Sequence, residues 1–275
     1  MFTVQSIDSL DLPELAPYRT LKRPAEHEAQ GIFVAEGDKV VHRLLESTLT
    51  VLSVLIPEHR WAEYEPGLSR RSENIVAYVT PKSVVEQLVG FHMFQGVLAV
   101  AQIPPPVTLE ELLDRSPSPR LFVAADGLVN AENTGALVRN CMAFGAQALF
   151  VGETCASPFL RRAVRNSMGT VFQLPIVPTP SLVAAIKHLR ARGVRCVAAH
   201  PHTEQKELWQ ADFTGDCCIV LGNEGDGLSA PVREACDAAV AIPMQSGVDS
   251  LNVASASAVF LYEASRQRQP QSSLK

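Results

Sequence analysis

Residues 217–228 read Cys217-Cys218-Ile219-Val220-Leu221-Gly222-Asn223-Glu224-Gly225-Asp226-Gly227-Leu228. Five apolar residues run without a polar break and stop at a loop with three glycines in six positions. An apolar run of that length bounded by turn residues is the pattern of a strand buried on both faces, the kind that parallel sheets use. Working outward, the same unit recurs as LFVAA (121–125), ALFV (148–151), VRCVAA (194–199) and AVAI (239–242). Helical patterns lie between them: TGALVRNCMAF, PFLRRAVRN, LVAAIKHLRA and the closing SLNVASASAVFLYEASR. The alternation predicts an α/β fold on a parallel sheet covered by helices, whose ligands bind in loops at the carboxyl ends of the strands.

Toward the N-terminus the pattern is shorter. Ile32–Ala35, Leu49–Ile56, Ile75–Val79 and Gly96–Ala101 read as strands, with helices over KVVHRLLES and SVVEQLV. That is a small α/β sandwich. Prolines at 104–106, 117 and 119 break regular structure between the two parts, and Thr108 with Glu111 forms a capping signature for one short helix there. The expected organisation is a first domain over 1–103, a Pro-rich linker over 104–119 and a second domain over 120–275.

The chain of 275 residues is 47% apolar and 19% charged with a net charge of −5, which excludes wholesale disorder and a coat of basic charge for nucleic acid. Residues 1–120 hold 11 Lys and Arg against 16 Asp and Glu, while 121–275 hold 13 of each, so all the excess acid is in the first part. No apolar run approaches a membrane span, and the N-terminus lacks the basic start and long apolar stretch of a secretory signal. The six cysteines form no C-x-x-C pair and read as reduced thiols. A soluble cytoplasmic protein with no membrane partner is expected.

Three loops carry the chemistry. The first, Asp126–Gly135, runs into a helix bearing Arg139, with Asn133 as the expected cap; free N–H groups at such a start attract anions. The second is the glycine loop, whose G-x-x-G-x-G spacing matches neither the dinucleotide fingerprint nor the phosphate loop. Its carboxylates oppose a phosphate, and Glu224 suits an amine, guanidinium or hydroxyl. The third, Pro243–Asn252, enters a helix of small residues, Ala254-Ser255-Ala256-Ser257-Ala258, that permits close packing on the chain or on a second subunit. Taken singly, each also suits a plain structural role: a capped helix, a tight turn, a cap at Ser250. His200-Pro201-His202 has no further ligand at a helpful spacing, so no metal is expected.

Together the three loops resemble the SpoU (TrmH-like) branch of the SPOUT RNA methyltransferases. N-T-G-A-L-V-R-N at 133–140 resembles the first family motif, L-G-N-E-G-D-G-L at 221–228 the second and I-P-M-x-x-G-V-D-S-L-N-V-A at 242–254 the third. Ser167-Met168-Gly169 before Pro175 is similar to an R-x-S-x-G element of the family. Phe33-Val34-Ala35-Glu36-Gly37 and Gly96-Val97-Leu98-Ala99 are similar to its N-terminal substrate-binding domain, which has a ribosomal-protein-L30e-like fold.

The resemblance implies a SPOUT methyltransferase domain with a C-terminal trefoil knot after a small L30e-like domain, working as a homodimer through the knot region and C-terminal helix. It implies transfer of a methyl group from S-adenosylmethionine to a ribose 2′-hydroxyl in structured RNA, with 23S rRNA favoured over tRNA. The alternative on the same fold is an inactive RNA-binding or ribosome-assembly protein; a nucleotide-binding α/β protein is disfavoured by the acidic glycine loop. The residues carried over are Arg139, Asn133, Glu224, Ser250 and Asn252 for catalysis, and Leu221, Gly222, Asn223, Gly225, Ile242, Met244 and Leu251 for the cofactor. Arg139 is expected to orient phosphate and stabilise the developing alkoxide, since a guanidinium is a poor proton acceptor at neutral pH. Arg161, Arg162 and Arg165 share a helix face and are the expected RNA contact.

Overall fold

The computed structural model describes residues 1–89, 96–202, 206–223 and 225–269. The chain divides into two compact units, Met1–Pro105 with Phe159–Gln173, and Pro106–Pro158 with Leu174–Lys275.

The first unit is built on β1 (Phe2–Ser6), β2 (Ile32–Glu36), β3 (Val51–Pro57), β4 (Ile75–Thr80) and β5 (Leu98–Gln102), in the order β1-β4-β3-β5-β2. The pairs β1·β4 and β3·β4 are parallel, whereas β5 runs antiparallel to β3 and β2. Its helices are α1 (Ala16–Arg19), α2 (Pro24–Ala29), α3 (Asp38–Glu46), α4 (Trp61–Ser69) and α5 (Lys82–Val89). Helix α3 buries Val40, Val41, Leu44 and Leu45, the spacing that puts one stripe toward a sheet. Tyr18, Leu55, Leu98 and Val100 lie in the core of this unit.

The second unit contains α6 (Leu109–Arg115), β6 (Leu121–Ala125), α7 (Ala131–Ala143) and β7 (Ala148–Val151). After α8 (Arg161–Asn166), which groups with the first unit, come β8 (Ile176–Pro178), α9 (Leu182–Ala191) and β9 (Arg195–Ala199). The chain ends through β10 (Cys217–Leu221), α10 (Ala230–Ala235), β11 (Ala238–Val240) and α11 (Val253–Arg268). The six strands are ordered β11-β9-β10-β6-β7-β8, and every pairing is parallel, as the apolar runs predict. Phe122, Phe150, Ile186, Val197 and Val220 are fully buried, so the sheet is covered on both faces.

Two boundaries differ from the sequence reading. The stretch read as linker belongs mostly to the second unit: α6 has the expected capping box, with Thr108 Oγ1 accepting from the Glu111 N–H, and buries Leu112 and Leu113 in the second core. Residues 159–173 leave the second unit for the first. There the Phe33 ring meets Phe159 at 5.4 Å and Phe172 at 5.7 Å, and buried Glu36 takes ion pairs from Arg161 and, at 2.8 Å, from Arg165. An aromatic cluster and a buried carboxylate, both on β2, outweigh chain continuity as the local attraction.

Candidate functional site

Parallel pairing places the carboxyl ends of β6, β10, β9 and β11 at one edge of the second unit. The order of the sheet turns between β6 and β10, so the loops after Ala125 and Leu221 diverge there, the place where open α/β sheets bind ligands. A cavity of about 230 Å³ opens at this edge. All seven residues expected at the cofactor line it: Leu221, Gly222, Asn223, Gly225, Ile242, Met244 and Leu251. Ser250 lines it too and is exposed, whereas Arg139, Asn133 and Asn252 are not part of the lining.

The glycine loop is shaped by close backbone contact. A Cβ at Gly222 would overlap the Gly227 carbonyl and the Leu228 nitrogen, so only glycine fits. The Asn223 N–H donates to the Gly227 oxygen at 3.2 Å, and its side-chain oxygen accepts from the Gly225 and Asp226 N–H groups at 2.9 and 2.7 Å. Asn223 thus acts as the turn's internal brace. Glu224, expected among the catalytic residues, lies outside the described residues.

The first and third motifs meet beside this loop. The cap of α7 is Asn130, not the expected Asn133: the Asn130 side chain accepts from the Glu132 and Asn133 N–H groups at 2.8 and 3.3 Å. The helix therefore starts three residues early, and Asn133 faces across to α11 instead. Asn252 caps α11 by accepting from the Ala254 N–H at 2.9 Å, while its amide donates to Asn133 Oδ1 at 3.2 Å. Ser250 is not the cap. The Asn140 amide donates to the Ala254 carbonyl at 2.7 Å and to buried Ser257 Oγ at 2.9 Å. Arg139, the neighbour of Asn140, is exposed on α7 and has no ion pair among the described residues.

The sequence reading passed over one wall of the cavity. His200 and His202, just after β9, both line it, with ring centroids 6.1 Å apart and nearly perpendicular. Burial and then the nearby Arg233 charge hold the His200 imidazole below the ordinary histidine value. By spacing alone the pair suggests only a metal site; its position after a strand at the ligand-binding edge is the usable signal. Asp226 and Asp249 also line the cavity, and among its described lining residues there is no Lys or Arg.

Of the three arginines expected at RNA, Arg161 and Arg165 are engaged with Glu36, and Arg162 is exposed. Asp38, His42 and Glu63 form a group with metal-ligand spacing in the first unit, but Arg60 already bridges both carboxylates.

A parallel α/β sheet with a glycine loop, an acid-lined cavity and two clamped helices at its carboxyl edge is the arrangement of a ligand-binding α/β domain. The SpoU rRNA methylase family model matches residues 120–262, and the chain belongs to that family. It is 32% identical over 270 residues to an uncharacterized tRNA/rRNA methyltransferase of Mycobacterium bovis, covering 96% of this chain and 92% of that one. It is 39% identical over 183 residues to the 23S rRNA (guanosine-2′-O-)-methyltransferase RlmB of Pseudomonas syringae pv. tomato, covering 65% and 72%. Among solved structures it is similar to the SpoU methyltransferase AviRb of Streptomyces viridochromogenes in complex with AdoMet. The TM-score is 0.81 and the identity 27%, over 94% of this chain and 98% of that one.

Proposed function

We propose that this protein transfers a methyl group from S-adenosylmethionine to the 2′-hydroxyl of one ribose in structured RNA, a site in 23S rRNA being favoured over tRNA. The convergence of the seven cofactor candidates on one cavity at the carboxyl edge of the sheet carries the reading. The cavity suits that cofactor. Leu221, Ile242, Met244 and Leu251 offer apolar wall for a flat base, backbone groups of the glycine loop offer donors and acceptors, and Asp226 and Asp249 offer negative charge to a cation.

When bound, S-adenosylmethionine supplies a methyl carbon made electrophilic by its sulfonium. The chain's own residues then have two tasks, to place the ribose oxygen and to stabilise negative charge on it. Arg139 performs the second: a guanidinium donates up to five hydrogen bonds and accepts none, so it orients a phosphate and stabilises the developing alkoxide, while the hydroxyl proton leaves to solvent water. Asn133 and Asn252 hold the helices that carry it, and Ser250 and Glu224 are assigned to the ribose.

The same reading includes a homodimer through the knot region and α11, supported by the exposed apolar side chains of Leu251, Val259 and Tyr262. It includes an L30e-like role for the first unit in selecting RNA, with Arg162 and the outer edges of Arg161 and Arg165 in contact with phosphate. The trefoil knot is proposed on family likeness. Among the described residues no helix is long and apolar enough to cross a membrane, in keeping with a place in the cytoplasm beside its RNA. No observation favours the inactive alternative.

Mapping 2′-O-methyl sites in cellular RNA with and without this protein tests the proposal. One ribose that loses its methyl group on deletion, and regains it with the wild-type chain but not with Arg139→Ala, is the expected result. An unchanged map together with no labelled-methyl transfer to total RNA overturns it.

A further inference from the structure

The cavity wall holds a titratable pair to which the proposed reaction gives no task. The Arg233 Nη1 on α10 lies 3.3 Å from the His200 Nε2. A guanidinium has hydrogens to donate and no lone pair to offer, so Nε2 is the acceptor and the ring proton sits on Nδ1. The contact exists only for the neutral ring, because charging His200 would turn an N–H against a cation. His202 lies edge-on to the same ring, and Asp226 and Asp249 face the cavity from the loops after β10 and before α11. Arg233 itself is not part of the lining. The described lining therefore carries two carboxylates and no Lys or Arg, and an imidazolium formed at His200 offsets one of those carboxylates.

We propose that His200, held neutral by its contact with Arg233 and flanked by His202, makes the cavity's preference for the cationic sulfonium of S-adenosylmethionine over the neutral thioether of S-adenosylhomocysteine depend on pH: the neutral ring leaves that preference intact and the charged ring offsets it. The inference rests on the cofactor assigned above. The two compounds differ by one methyl group and one positive charge. Transfer of the methyl removes the charge, so a carboxylate-bearing wall holds the reactant and releases the product. The same burial and Arg233 charge that depress His200 keep it neutral at physiological pH. Across several ångströms of partly solvated site, one full charge on the wall changes the equilibrium by about tenfold. The methyl group's size adds a preference that does not vary with pH, so the pH slope isolates the charge effect.

Calorimetric titration of the purified protein with each compound, from about pH 8 to about pH 5.5, reads the effect directly. The ratio of the two affinities is expected to favour the methylated compound at the upper end and to fall about twofold or more at the lower end, where the depressed ring is only partly charged. His200→Gln, which keeps a neutral amide donor, should flatten most of that slope. Arg233→Met, a change outside the cavity, should move the slope to higher pH by releasing the restraint on charging His200. A ratio that stays constant with pH in the wild-type protein, or an unaltered slope in the His200→Gln variant, overturns the inference. Failure of either compound to bind at any pH refutes the cofactor assignment instead.

Discussion

Arg139 takes its position from its neighbour. It is exposed and without an ion pair among the described residues, while Asn140 beside it is fastened to Ala254 and Ser257. A cation held by its helix and not by a carboxylate keeps its full charge for a ligand, which is what electrostatic stabilisation of a developing oxyanion requires. Arg139→Ala should lower methyl transfer by about 100-fold or more while changing S-adenosylmethionine affinity less than threefold, roughly the loss seen when one oxyanion donor is removed. Single-turnover transfer and equilibrium binding, measured side by side, check this; full transfer by the variant would remove Arg139 from the reaction. Gly222 shows the opposite dependence. Its alanine variant drives a methyl group into the Gly227 backbone, with no flexible side chain available to yield. Gly222→Ala should cost about 1–3 kcal/mol of stability by overpacking and abolish cofactor binding, read by thermal melting and calorimetry.

At the scale of elements, the contact of α7 with α11 decides whether the site forms. Asn252 serves both helices, capping α11 through Ala254 and bonding Asn133 on α7. Asn252→Ala should therefore lose about 1 kcal/mol for the cap and a further fraction for the lost hydrogen bond to Asn133. Asn252→Ser, which keeps a capping oxygen but cannot reach across, should recover only the cap's share in denaturant unfolding. This level also shows what the sequence reveals. The strands of the second unit are legible because burial on both faces leaves uninterrupted apolar runs, and Leu121–Ala125 and Cys217–Leu221 fall where those runs do. The start of α7 is not, because Asn130 and Asn133 are both good caps and only packing chooses between them. Strand β1, Phe2–Ser6, leaves no pattern because it is largely exposed at a sheet edge. The departure of residues 159–173 is invisible for another reason: Phe33 and Glu36 lie more than 120 positions from their partners, and no local periodicity encodes so distant a pairing.

For the whole molecule, acid should act in two stages. Burial leads the causes that depress His27 and His200, so both rings bind protons more readily once the chain unfolds. Their contribution is complete above the ordinary histidine value and declines as pH falls through about 6.5 toward their depressed values. The carboxylates follow. Against a burial penalty, Arg71 and backbone donors hold Glu73 at about 2, and Tyr64 with Arg60 holds Asp38 low. In the second unit Arg120 and Ser118 outweigh burial at Asp216, and Arg266 depresses Glu263. A depressed carboxylate stabilises the fold above its unfolded value and loses that contribution as pH falls through its folded one. The melting temperature should thus decline gently from about pH 6.5 and steeply below about pH 4, with Arg71→Ala weakening only the second stage. A single steep fall centred near pH 6 would contradict this assignment.

Charge also limits how the molecule can hold RNA. The net charge of −5 excludes a broad basic coat, and the excess acid is all in residues 1–120. Within the first unit, Arg161 and Arg165 share one buried carboxylate, so together with Glu36 they present about one net positive charge instead of two. Adding exposed Arg162 and Arg139 gives about three net positive charges among the arginines assigned to RNA. With about three or four phosphates neutralised, the logarithm of RNA affinity should fall against the logarithm of salt concentration with a slope near −2 to −3. Recognition must then come chiefly from the shape of a folded RNA and a few placed contacts. Glu36→Gln would release both guanidiniums from their pairing and should steepen the slope by about one. Filter binding across a salt series measures both quantities. A wild-type slope near −7 would require a basic surface that this distribution of charge does not provide.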